Sequence, residues 1–89
     1  MVKKITVKAD NVEFEAKLKD INLEDRKQLR ILFHKLNNED YIKDNGYFPV
    51  SIEIIQKATD MTDDQINQLS DSEIYALATS IIGSQNKKK

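Results

Sequence analysis

The sequence predicts an α+β fold: an N-terminal β-hairpin packed against a small bundle of three to four α-helices. Three observations carry this. The stretch KKITVKADNVEFEAKLKD alternates apolar and polar residues around a break at Asp10-Asn11. From Asn22 the apolar positions change to helical spacing, Leu29, Leu32, Phe33 and Leu36. Residues 61–83 then hold two helix-start signals in succession, Thr62 with Gln65 and Ser70 with Glu73.

The hairpin has one self-consistent register. A two-residue turn at Asp10-Asn11 sets Val7 opposite Phe14 and Ile5 opposite Ala16, and turns Lys8 toward Glu13 on the wet face. A two-stranded hairpin alone is barely stable in water, so its apolar face needs a helix.

That helix follows directly. Asn22 can cap it, Glu24 and Asp25 suit the positive end of its dipole, and the Leu29–Leu36 stripe is its buried side. Arg26, Lys27, Arg30 and Lys35 fall mostly on the solvated side, whose commonest meaning is a hydrated face with acidic neighbours.

Residues 37–49 (NNEDYIKDNGYFP) look irregular. Asn45-Gly46 is a turn signal, and Pro49 argues against a central strand after it. Tyr41, Tyr47 and Phe48 are unusual in such a stretch. Either they pack down on the core or they are exposed anchors for a partner, of the kind enriched in interfaces. Residues 51–59 then read as a short helix, entered through Pro49-Val50, with Ile54, Ile55 and Ala58 inward.

In residues 61–83 each cap hydroxyl can accept from the third helical N–H while the Gln or Glu reaches back to the cap's own N–H. The expected result is a short helix, a one-residue corner, and a longer helix with Ile74, Leu77, Ala78 and Ile81 on one face. Gly83 is a natural helix stop. Residues 1–83 are thus expected to form a single domain, and residues 84–89 a disordered, lysine-ending tail.

Composition narrows the function classes. A chain of 89 residues makes one domain with a marginal core. At 39% hydrophobic and 33% charged it belongs with globular proteins, and no apolar run approaches a membrane span. Met1-Val2-Lys3-Lys4 leads into the alternating strand and not into the apolar block of a signal peptide. Without cysteine there is no disulfide, thiolate nucleophile or zinc finger, which fits a cytoplasmic setting. The net charge of −1 conceals a division: all 15 acidic residues but only eight of the 14 basic ones fall within residues 10–73, leaving that span at −7. Such a body repels nucleic acid.

Specific chemistry is sparse. His34 is the sole histidine, one position past Phe33 at the edge of the stripe, so no second imidazole or cysteine is there to join it on a metal. Two calcium-loop patterns, from Asp40 and from Asp60, fail: Gly46 falls at the seventh position of the first, and Gln65 and Asp71 stand at positions six and twelve of the second. Two glycines cannot build a phosphate-cradling loop. No residue is therefore assigned a catalytic, cofactor-binding or metal-binding role. The alternative motif is a helix-turn-helix over residues 51–69, with Ile55 and Ala58 in the first helix, Met61 in the turn, and Ile66 and Leu69 in the second. Its recognition helix would begin Thr62-Asp63-Asp64 and contains no Lys or Arg, the wrong charge for a phosphate backbone.

The order of elements as a whole resembles the small tail assembly chaperones of long-tailed phages and prophages. The lysine-rich strand–turn–strand opening KKITVKADNVEFEAKL, the helix after it, and the ending KATDMTDDQINQLSDSEIYALATSII carry the likeness, best over residues 58–82. Asp60 departs from the family's frequent Gly, and the middle stretch is more polar. The resemblance implies a protein without an active site or cofactor that binds the long helical tape-measure protein while tail-tube subunits assemble around it. Its partner would be the tape-measure or tail-tube protein, with neither nucleic acid nor membrane involved, and a homo-oligomer is compatible with that role. Holding an apolar helix reversibly calls for exposed anchors, for which Tyr41, Tyr47 and Phe48 are the candidates.

Overall fold

A computed structural model describes residues 3–9 and 12–86. The fold is α+β. Strands β1 (Lys3–Ala9) and β2 (Val12–Leu18) form an antiparallel pair, followed by helices α1 (Leu23–Leu36), α2 (Glu39–Asn45), α3 (Phe48–Ala58), α4 (Asp63–Asn67) and α5 (Asp71–Asn86).

The hairpin has the expected register: Val7 pairs with Phe14, Ile5 with Ala16 and Lys8 with Glu13. Val7, Ala16 and Leu18 are buried, with Ile5 and Phe14 packed at the margin. Lys8 Nζ lies 4.0 Å from Glu13 Oε2 on the wet face, where such a pair adds little stability. The Asp10-Asn11 turn lies outside the described residues.

The core forms where α5 crosses α3 and the sheet. Ile54, Ile55 and Ala58 of α3 meet the Ile74, Leu77, Ala78 and Ile81 face of α5, which also covers β1. From the other side α1 contributes Leu29, Leu32, Phe33 and Leu36. Its N-terminus is held by Asn22, whose Oδ1 accepts from the Asp25 N–H at 2.8 Å. The end of β2 is tied to the end of α3: the Lys19 N–H donates to the Ala58 carbonyl at 2.9 Å, and Leu18 bridges Thr59. Thr59 is extended (φ −132°, ψ 167°), so the chain leaves α3 as a strand-like segment with no left-handed residue at the cap. The buried Thr59 hydroxyl is satisfied, donating to the Ile55 carbonyl at 2.8 Å and accepting from the Met61 N–H at 3.2 Å.

Both capping boxes form. Thr62 Oγ1 accepts from the Gln65 N–H at 3.2 Å, while Gln65 Oε1 accepts from the Thr62 N–H at 2.9 Å. Ser70 and Glu73 repeat the exchange at 3.2 and 2.8 Å. The connection between α4 and α5 takes residues 68–70, longer than the single-residue corner expected.

Three further expectations are corrected. Residues 37–49 are largely helical: α2 is capped by Asn38, whose Oδ1 accepts from the Tyr41 N–H at 3.1 Å, and closes at Gly46 with φ 79°. The described residues therefore hold five helices, not three to four. Second, α3 starts at Phe48, with Pro49 in its first turn, where a missing N–H costs nothing. Third, Gly83 does not stop α5, which continues to Asn86. Residues 84–86 are accordingly helical, whereas residues 87–89 lie outside the described set. Gly46, not Gly83, is the glycine with positive φ.

Candidate docking surface

The start of α3 faces outward. No side chain caps this helix, and Tyr47 and Phe48, flanking its first turn, are 38% and 41% exposed. Tyr47 meets a third ring, Tyr75 on the outer side of α5: their centroids are 4.8 Å apart at 62°, an edge-on contact. Tyr75 is itself 43% exposed. The three rings thus stand at the junction of α3 and α5, above the core and not in it.

Phe48 opens onto a groove of about 380 Å³ between α3, α4 and the start of α5. One side is Phe48, Ile52 and Gln56, which the 3.6-residue repeat aligns along α3. Ile66 and Asn67 of α4, Leu69 of the corner, and Ile74 of α5 complete it. Ile66 and Ile74 are nearly buried and form an apolar floor joined to the core. The rim is acidic: Asp63 and Asp71 line it with no Lys or Arg among the lining residues, and Asp63 Oδ1 accepts from Gln56 Nε2 at 3.0 Å. Each carboxylate occupies the first position of its helix, where the dipole favours negative charge.

The structure separates the three aromatic candidates. Tyr47 and Phe48 are together at the surface. Tyr41 is half-buried in α2, packed against the core margin, with the Lys35 ammonium 5.5 Å from its ring centroid. It does not line the groove. Sequence reading missed Tyr75, although a signal existed: it is an aromatic on the polar side of a helix whose apolar face is Ile74, Leu77, Ala78 and Ile81. His34 lies exposed on α1. Among the described residues, no three His, Cys, Asp or Glu side chains converge as metal ligands would.

Over the region resembling a helix-turn-helix, α4 has only five residues, roughly 7 Å of helix. It starts with two carboxylates and buries Ile66 against its neighbours. No family model, curated protein or solved structure matches this chain. Among the described residues, no helix is long and apolar enough to cross a membrane.

Proposed function

We propose that this chain is a non-enzymatic protein-binding protein that holds an apolar helical segment of a client in the groove between α3, α4 and α5. The observation that carries the reading is the exposed cluster of Tyr47, Phe48 and Tyr75 beside an apolar floor. Rings rich in contact area and poor in rotamer freedom are what reversible docking uses, and a helix laid in a groove needs only a few such anchors. Taken with the resemblance over residues 58–82, the client is the tape-measure protein of a phage or prophage tail, held in the cytoplasm until tube subunits enclose it. Tyr47 and Phe48 are the contact residues, joined by Tyr75; Tyr41 supports the fold.

The test is co-expression with a candidate tape-measure protein from the same genome. Replacing Tyr47 and Phe48 by Ser should abolish co-purification while shifting the melting temperature by only a few degrees, because both rings are partly exposed. Retention of the client by this double variant would sink the reading. So would a collapse in melting temperature, which would make the rings structural.

A further inference from the structure

Asn45 is the one asparagine of seven that glycine follows; Val, Leu, Asn, Glu, Gln and Lys follow the others. An asparagine side-chain amide can close a five-membered ring with the next residue's backbone nitrogen, and glycine, with no Cβ, leaves that nitrogen unhindered. The structure sets this pair at the C-terminal end of α2, with Asn45 exposed. There both reacting groups are engaged elsewhere. The Gly46 N–H donates to the Ile42 carbonyl at 2.7 Å, and Asn45 Nδ2 donates to the Tyr41 carbonyl at 3.1 Å. Both bonds depend on a weakly anchored helix, seven residues long with none fully buried, whose start is held by the Asn38 cap.

We propose that Asn45 is a self-modification site, converted to aspartate and isoaspartate by its own backbone at a rate set by the opening of α2. The Gly46 nitrogen gives up its proton and bonds to Asn45 Cγ. The Cγ–Nδ2 bond breaks, and the nitrogen leaves as ammonia with a proton in place of the one lost. Water then opens the cyclic imide at either carbonyl, leaving an aspartate or an isoaspartate. A main-chain N–H held in a hydrogen bond cannot give up its proton, so the reaction, like hydrogen exchange at the same amide, waits for the last turn to open. Loss of ammonia is not reversed. Isoaspartate adds a methylene to the main chain, which throws the Gly46-to-Ile42 bond out of register, and either product sets a carboxylate beside Asp44 at the negative end of the helix. The modification therefore loosens the turn that leads into Tyr47 and Phe48.

Peptide mapping by mass spectrometry, on the full chain held in mildly alkaline buffer, reads the reaction as a gain of one mass unit at Asn45. The gain should appear there before it appears at any other asparagine. It should be fastest in urea, where α2 is open throughout. The slowing in the folded chain should match the hydrogen-exchange protection of the Gly46 amide within about threefold, because one opening serves both reactions. Removing the cap with Asn38→Ala should speed the folded chain's modification about fivefold. Asn38→Asp, which keeps a capping oxygen, should stay within about twofold of the wild type.

A folded chain modified as fast as the chain in urea overturns the proposal, as does one modified first at another asparagine. A mismatch with Gly46 protection beyond about threefold does the same, since the reaction would then use a different opening. The wild-type chain alone decides this comparison, whether or not Asn38→Ala folds. The isoaspartate form, separated by ion exchange, should have lost protection across α2 while α5 keeps its own; full protection of α2 in that form would refute the loosening.

Discussion

Gly46 and Gly83 have opposite relations to the backbone. Gly46 closes α2 at φ 79°, ψ 164°, a region essentially reserved for glycine. A Cβ there would meet no other atom, so the cost of Gly46→Ala is purely conformational. About 1–3 kcal/mol of stability should be lost. Gly83 sits inside α5 with open space around it, and Gly83→Ala should gain up to about 0.5–1 kcal/mol. Urea midpoints of the two variants should move in opposite directions; a shared direction would contradict one of the two backbone assignments. Ser51 is a different case. It is fully buried on α3, and its hydroxyl has no hydrogen-bond partner among the described residues. An unsatisfied buried hydroxyl opposes folding, so Ser51→Ala should stabilise the domain by about 1 kcal/mol. A lower melting temperature for this variant would mean that the hydroxyl is bonded after all.

Among the helices, α5 has the largest structural task, since one face of it covers both α3 and β1. Leu77 lies at the centre of that face with no exposure, so Leu77→Ala should cost roughly 2–5 kcal/mol through lost burial and the cavity left behind. For a domain of this size that is a large part of total stability. A change below about half a kcal/mol in chemical denaturation would instead mean that the site collapses freely and the core is loosely packed. In contrast, α2 has no fully buried residue. It is held by its Asn38 cap, the half-buried Tyr41 and Ile42, and its contact with α1.

For the whole molecule, charge and compactness set the limits. The Cα radius of gyration, 12.5 Å, is near the value of about 12 Å expected for a folded chain of this length. The hairpin and helices thus reach the compactness ordinary for a folded chain of this length. The −7 balance of residues 10–73 includes the Asp63-Asp64 start of the short helix α4. Double-stranded DNA should therefore not bind at physiological salt. Fluorescence anisotropy checks this: micromolar binding that weakens steeply as salt rises would overturn it and revive the helix-turn-helix alternative.

Local rules were enough to read much of this architecture. The hairpin register was legible because a period of two admits only one pairing that satisfies both faces of Val7, Phe14, Ile5 and Ala16. The helix starts at Asn22, Thr62 and Ser70 were legible because a cap is a contact between residues three apart, and the stripes of α1 and α5 because burial follows the helical repeat. Helix α2 was not legible: seven residues with Tyr41 and Ile42 as the main apolar pair establish no period, and such a helix exists through its tertiary contact. Gly83 misled because a glycine ends a helix only where the chain must turn, and packing of Ile81 and its neighbours carries α5 past it. The candidate surface divides the same way. The sequence by itself determined that aromatic rings stand near residues 41–48 and that the body is acidic. Only the tertiary structure decided that Tyr41 turns toward the core margin, that Tyr47 meets Tyr75 at the surface and that Phe48 lines an acidic groove, because a side chain's exposure depends on which distant helix passes over it.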